Sequence, residues 1–590
     1  MTFSSWKDGK LNSEKADAIA DAVWIGCVAM LVGFGALYFP TMALFRLGIP
    51  LTFWHSFLFL GASMATALIM AKGKEPWWGG WAIWGGVLIA VGVTVLVASP
   101  FHDFSCDGMA VRQGYVKNLL QKNCPHVLPL PHLISGWLGL VGGGIDSGKS
   151  INALLILCAF GFCLRTGREI GLSRIWLWMT CLAVSLNPVS VYQLSSFYID
   201  GNAGSLLTCL CAMLILNYLN LKQLWAWMIS ATVFCILAAS KVSGFAYGSI
   251  FFLALCGCVF FNKRGLTRLQ RGLFLGGFLI ILVLGSASHL LERSEGYSWT
   301  SLATKTKLAT PSYGVGLYSY APDSMARMSK AEAFLRSHFA PTATMTEEWQ
   351  WKFPFWLNRR ELALFEDLNS DPRSGGFGPL YGGIFILAFL AFLHALFKNM
   401  IPWVGWVPVL GILVSCLLPQ TWWARWVPQG WLVPMALAVP VMSLRPIGLG
   451  GGLARASIAV ALLNSILIFA FYMSGCFQNQ AVLTRQLAFL KNMPQPLNVY
   501  IPTFHSNEMW LEEAGLRFKK IDQEPSMPKL RLQRTNSKVQ LPADWTNAPI
   551  SDEILQEWRK RDLLETAQPT KDSPPKPRRT QTPSINVPSP

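Results

Sequence analysis

The chain has 590 residues, of which 52% are apolar and only 14% charged, against roughly 25% charged in ordinary soluble domains. That composition excludes a water-soluble enzyme, whose surface could not carry so much apolar area, and it excludes a disordered chain for the opposite reason. A net charge of +17 would suit nucleic acid, but here it accompanies long uncharged apolar runs and 25 Trp and 36 Phe. The sequence therefore reads as an all-α polytopic membrane protein.

A helix needs about 20 mostly apolar residues to cross the hydrocarbon core. About thirteen stretches qualify as transmembrane helices on that measure. They lie near 19–44, 51–71, 77–99, 150–164, 175–190, 204–219, 223–239, 243–261, 273–290, 380–397, 401–418, 427–444 and 455–474. The first follows a polar amphipathic stretch, lacks a small-residue cleavage pattern and reads as an anchor. Lys and Arg concentrate in the short cytoplasmic loops of membrane proteins. An N-terminus inside puts Lys72, Lys74, Arg165, Arg168, Arg174, Lys222, Lys263, Arg264, Arg268, Arg271, Lys398 and Arg445 on that side. The segments 100–149, 191–203, 291–379 and 419–426 and the C-terminus then lie outside, so most of the basicity is an orientation signal. Residues 1–475 form the membrane domain. Residues 476–565 read as a small α/β appendage, and the Pro-rich stretch 566–590 reads as a disordered tail. Cysteine says little: most of the thirteen sit in spans, whereas Cys106 and Cys124 share an outer loop and stand as a pair that is either bridged or free.

Ionisable residues at membrane depth are costly and become functional candidates. In chain order the first are His102, Asp103 and Asp107 in His-Asp-Phe-Ser-Cys-Asp-Gly at 102–108. Two carboxylates four apart suit general-base work or oxygen ligation of a divalent cation, and they equally suit helix capping. Asn187-Pro188 breaks the span over 175–190 at a depth where irregular backbone lines a cavity. Gln193, Tyr198 and Asp200 follow it at the outer face. Lys241, between two apolar helices, needs an anionic partner, either Asp200 or the phosphate of a lipid-linked substrate, unless it snorkels to the headgroups. Lys352-Phe-Pro-Phe, Arg359-Arg-Glu-Leu and Asp371-Pro-Arg-Ser-Gly-Gly-Phe-Gly-Pro close the long outer segment. The glycines there allow a tight backbone path, and Arg373 offers its fork to a carboxylate or phosphate. Arg425 is embedded in Trp422-Trp-Ala-Arg-Trp-Val-Pro-Gln, where indoles alone would form an interfacial belt. All five clusters fall on one side of the membrane, which implies a single outer cavity built from several helix ends.

In their order along residues 100–430, these strings resemble bacterial inner-membrane proteins of the C-type (GT-C) polyprenyl-phosphate-sugar glycosyltransferase superfamily. The resemblance implies a multi-pass enzyme of the inner membrane, N-terminus cytoplasmic and C-terminus periplasmic. Such an enzyme takes sugar from a polyprenyl-phosphate donor and passes it to a glycan, lipid or protein acceptor on the periplasmic face. It places the base or metal-ligand role on Asp107 or Asp103, with Mg or Mn as the divalent cation where one takes part. For such a transfer the residues themselves suggest Lys241, Arg425 and Arg373 for the donor phosphate, and Asp200, Tyr198, Gln193 and His102 for substrate contact. After Asp107-Gly108, members of the family carry an aromatic-His pair, where this chain has Ala110-Val111-Arg112-Gln113. Two other readings stay open: a transporter or flippase for a lipid-linked sugar, and a catalytically silent relative in envelope assembly. Reporter fusions test the orientation. A periplasm-active reporter is expected to work when fused after residue 475 and to fail when fused after Lys398, and the reverse pattern would invert the topology.

Overall fold

The computed structural model describes residues 3–72, 78–123, 128–219, 223–261, 328–344, 349–398, 411–414, 422–444, 448–502, 507–526, 528–547 and 550–566, with a few isolated positions. The chain divides into two compact units, Met1–Gln480 and Ala481–Pro590.

The first unit is helical. Its elements are α1 (Phe3–Arg46), α2 (Ser56–Ala71), α3 (Gly79–Ala98), α4 (Gln113–Leu120), α5 (Leu130–Gly142), α6 (Ser150–Glu169), α7 (Arg174–Ser185), α8 (Pro188–Tyr192), α9 (Asp200–Leu219), α10 (Leu224–Ser240) and α11 (Val242–Phe261). They continue with α12 (Lys330–His338), α13 (Arg359–Glu366), α14 (Tyr381–Phe397), α15 (Leu432–Ser443) and α16 (Leu449–Lys491). Among the described residues, six stretches are long and apolar enough to cross a membrane: Asp17–Arg46, Phe53–Ala71, Gly79–Ala98, Ile145–Glu169, Asp200–Leu219 and Leu449–Lys491. Shorter apolar helices fill Leu130–Gly142, Arg174–Ser185, Trp225–Ser240, Val242–Ala254 and Tyr381–Phe397. The expected span 273–290 and most of 401–418 lie outside the described residues, as does the tail from 567.

The structure departs from the sequence reading in two places. The outer segment 100–149 is no plain loop: it holds α4 and α5, and α5 is buried from Leu130 to Gly139. At 13 residues α5 is too short to span, so apolar-run counting passes over it. The expected span 175–190 stops at Ser185. Pro188 takes the first position of α8, where its missing N–H costs nothing, and Asn187 caps that helix by accepting from Val189 N at 3.0 Å.

The core is continuous through α1, α5, α6, α9, α10, α14 and α15, with Phe34, Phe162, Phe234 and Trp431 among its most enclosed side chains. Polar ties fix the loops that emerge from it. Asn187 Nδ2 donates to Pro428 O at 2.9 Å, Trp431 Nε1 to Ala183 O at 2.9 Å, and Tyr381 Oη to Gly430 O at 2.8 Å. Asn464 of α16 holds the segment before α14 through Phe377 O at 2.9 Å and Leu380 N at 3.0 Å. Gly378 lies against Asn464 with φ +94°, and a Cβ there would sit 2.7 Å from Asn464 Oδ1. Only glycine meets both conditions. At the other helix ends Asp21 of α1 meets Arg168 of α6 at 2.8 Å and Arg165 at 3.3 Å.

The second unit carries a five-stranded sheet: β1 (Leu497–Tyr500), β2 (Phe518–Ile521), β3 (Lys529–Arg531), β4 (Lys538–Gln540) and β5 (Leu564–Glu565), in the order β2-β1-β4-β3-β5. β1 runs parallel to β2 and antiparallel to β4, with α17 (Asn507–Glu513) and α18 (Asp552–Lys560) between strands. Trp510 and Trp558 are fully enclosed.

Two of the sequence motifs turn out to be paired. Lys352 Nζ contacts both oxygens of Glu361, at 2.8 and 2.6 Å, and donates to Pro379 O at 2.8 Å, while Thr342 N donates to Glu361 at 2.8 Å. The side chains are 8% and 3% exposed, so removing one charge strands the other. Lys352→Met is expected to lower stability by about 3 kcal/mol, read as the melting temperature in detergent. Lys352→Met with Glu361→Gln is expected to lose less than the single variant, and an equal or larger loss would refute the buried pair.

Candidate functional site

The site is built where four loops and the start of one helix meet. Residues 422–427 form a tight turn, with Trp426 N on Trp423 O at 2.9 Å and Val427 N on Ala424 O at 3.2 Å. This turn projects Arg425 inward, 10% exposed at its side chain. Three carboxylates close on its guanidinium. Nη2 meets Asp107 Oδ2 at 2.7 Å, Nε meets Asp200 Oδ2 at 3.1 Å, and Nη1 meets Asp371 Oδ2 at 3.1 Å. The guanidinium carbon lies 4.6 Å from the Tyr198 ring centre and 5.3 Å from that of Trp423. An arginine buried among aromatic rings is stabilised by their faces and by its ion pairs, of which the one to Asp107 is also a charge-assisted hydrogen bond.

Each acid is held differently. Asp200 opens α9, where the helix N-terminus favours a negative charge, and it is 1% exposed. Its other oxygen takes an ion pair from Lys241. Lys241 is the extended residue between α10 and α11, with its ammonium 4.3 Å from the Trp426 ring centre. Asp371 also accepts Trp423 Nε1 at 2.7 Å. Burial pushes its carboxyl above the usual range, against the pull of Arg425 and Arg373, while Asp107 and Asp200 add to the rise. Arg373 lies with its guanidinium 5.7 Å from the Trp423 ring centre. Asp107 is the most open of the three, 39% exposed against 1% and 20%.

Asp107 stands where it does because of Asp103. Asp103 is buried, and its two oxygens accept Ser105 N and Phe197 N, both at 2.8 Å, pinning the 101–108 loop to the turn before α9. Gly108 passes so close that a Cβ would collide with Asp103 Oδ2 and Ser105 Oγ. From Gly108 to Arg112 the chain forms a short π-helix, a form frequent at functional sites. Gln193 works on the scaffold in the same way: it accepts Gly201 N at 2.8 Å and donates to Ser370 O at 3.2 Å. His102 belongs to a second polar group. It pairs with Asp146, which also pairs with the fully enclosed Lys149, and Lys149 donates to Phe101 O.

Of the residues singled out in the sequence, the structure thus gathers Asp107, Asp200, Tyr198, Lys241, Arg373 and Arg425. It sets Asp103 and Gln193 behind them as anchors and His102 with Asp146. Asp371 carried no role in the sequence, although its string was singled out, because its partners Arg425 and Trp423 lie about 50 residues away in the chain. The signal available was Arg425 itself, since a buried arginine requires several acceptors. Among the described residues no group of three or more His, Cys, Asp or Glu side chains is placed to hold a metal ion. The space between the three carboxylates is filled by the Arg425 guanidinium, so a divalent cation does not fit there. Cys106 is a free, exposed cysteine, and Cys124 lies outside the described residues.

No family model matches the chain, and no curated protein does. Its structural neighbours include two crystal structures of ArnT from Cupriavidus metallidurans. The one bound to undecaprenyl phosphate has 11% identity and a TM-score of 0.43, covering 76% of this chain and 86% of that one. The apo state has 12% identity and a TM-score of 0.39, with 75% and 86% covered. Both TM-scores lie below 0.5, and the functional reading rests on the side chains of this chain.

Burial pushes the Asp103 carboxyl up to about 6, opposed by Ser105, the Lys149 charge and the Phe197 N–H. The folded state therefore holds a proton between about pH 4 and 6 that the unfolded chain has released, so stability falls as pH rises through that window, by roughly 3 kcal/mol in all. Asp103→Asn is expected to abolish this component of the pH dependence. A variant that keeps the wild-type slope from pH 4 to 6 would remove Asp103 as its source.

Proposed function

We propose that the chain is a membrane glycosyltransferase of the GT-C type. It moves a sugar from a polyprenyl-phosphate donor to a glycan, lipid or protein acceptor on the periplasmic face of a bacterial inner membrane. The observation that carries the reading is Asp107, a partly open carboxylate held 2.7 Å from a buried arginine at a site framed by apolar helix ends. Lipid-linked substrates reach such a place laterally through the membrane.

The transfer needs one base and one place for negative charge. Asp107 takes the proton of the acceptor hydroxyl as its oxygen bonds to the anomeric carbon. The bond from that carbon to the phosphate oxygen breaks, its electron pair stays on the phosphate, and polyprenyl phosphate leaves. Lys241, Arg425 and Arg373 supply positive potential where that charge grows. Holding donor and acceptor in line at this cluster supplies much of the remaining barrier reduction.

A transporter or flippase would use the same charges as a path, but nothing in the geometry favours it over transfer. Purified protein supplied with a polyprenyl-phosphate sugar separates the two. Asp107→Asn is expected to slow transfer by about 100-fold or more, with folding and donor binding retained. Undiminished transfer by Asp107→Asn and by Asp103→Asn would sink the base assignment, and scrambling of lipid-linked sugar that survives both would favour the transporter.

A further inference from the structure

The charges paired at Arg425 do not favour an anion by themselves. Asp107, Asp200 and Asp371 are balanced by Arg425 and Lys241, which pair with them, and by the Arg373 charge that acts on Asp371. That inner group holds as many acids as cations and has no net charge to offer a phosphate. A further cation is needed to make the place where a lipid-linked phosphate arrives positive.

Arg112 is so placed. It ends the π-helix that begins beside Asp107. Its guanidinium carbon lies 5.7 Å from the centre of the Tyr198 ring, the ring that also faces Arg425 at 4.6 Å. Its charge reaches both Asp200 and Lys241. Among the described residues no carboxylate pairs with it. What holds it is a histidine: Nη1 lies 3.4 Å from Nε2 of His132, on the buried face of α5.

The identity of that partner matters. A guanidinium only donates, so Nε2 of His132 accepts and the ring proton sits on Nδ1. Burial, and then the adjacent Arg112 charge, keep the imidazole uncharged. The Tyr115 ring stacks on it, with centroids 5.4 Å apart and planes 30° from parallel, which fixes its orientation. A carboxylate in the place of His132 would orient Arg112 and cancel its charge. A neutral histidine orients the fork and leaves the charge in full.

We propose that Arg112, oriented by neutral His132, receives the phosphate of the lipid-linked donor. Its planar fork suits two phosphate oxygens at once. The assignment rests on the glycosyl-transfer reading for the identity of the anion, and it names a residue that stands apart from the carboxylate-paired Lys241 and Arg425. Lys241 and Arg425 then hold the acids in place and lend positive potential from behind, and Arg112 is the cation that contacts the phosphate.

The test is binding without turnover. The full chain in detergent is titrated with a long-chain polyprenyl monophosphate and, separately, with the matching polyprenol. Wild type is expected to prefer the phosphate. Arg112→Gln is expected to weaken phosphate binding at least tenfold and leave polyprenol binding unchanged, while Asp107→Asn keeps the preference. Phosphate binding by Arg112→Gln as tight as wild type would overturn the assignment and leave the transfer reading standing. A wild type that does not distinguish phosphate from alcohol would overturn both. Should Arg112→Gln lose the fold, Arg112→Lys decides: it keeps the charge without the fork, and severalfold weaker phosphate binding supports the assignment, whereas unchanged binding refutes it.

Discussion

A guanidinium withdrawn from water must be met by acceptors, and the geometry of this site follows from how Arg425 is met. Its fork takes a carboxylate at each of its three nitrogens, and each carboxylate belongs to a different stretch of chain. One is in the loop after α3, one opens α9, and one precedes α14. The arginine therefore works as the keystone of several separate helix ends. Remove it, and three acids face one another with Lys241 and the Arg373 charge left to balance them, which is strongly unfavourable in a partly buried site.

The supporting parts are arranged so that the acids cannot escape this centre. Asp103 uses both oxygens on backbone N–H groups and so sets the path that carries Asp107. Gln193 ties the first turn of α9 to the segment before Asp371. The Lys352–Glu361 pair fastens the stretch leading to α14 through Pro379. Of the three acids, the one left most open is Asp107, while Asp200 and Asp371 are more enclosed by the frame.

Much of this was legible in the sequence because membrane burial makes charge rare. Lys241, Asp200 and Arg425 stood out against apolar runs, and Asn187-Pro188 announced the break before α8. Other features were hidden for physical reasons. The α5 helix is too short to register as a span, and its burial depends on α4 and α6, which only the fold brings together. Asp103 and Asp107 look alike four residues apart. One was drawn inward by the distant Phe197 N–H and the other outward to Arg425, a choice made by partners 94 and 318 residues away. Arg112 and His132 carry no motif, and their pairing exists only in three dimensions.

The claim on which the rest depends is that Arg425 neutralises a group of acids that would otherwise repel. The most direct measurement is a double-mutant comparison of melting temperature in detergent for Arg425→Gln, Asp371→Asn and the two combined. Arg425→Gln alone is expected to be strongly destabilised, and Asp371→Asn is expected to restore part of that loss, because one fewer acid then lacks its cation. Losses that simply add would show that the two side chains do not share one charge balance, and would contradict the account.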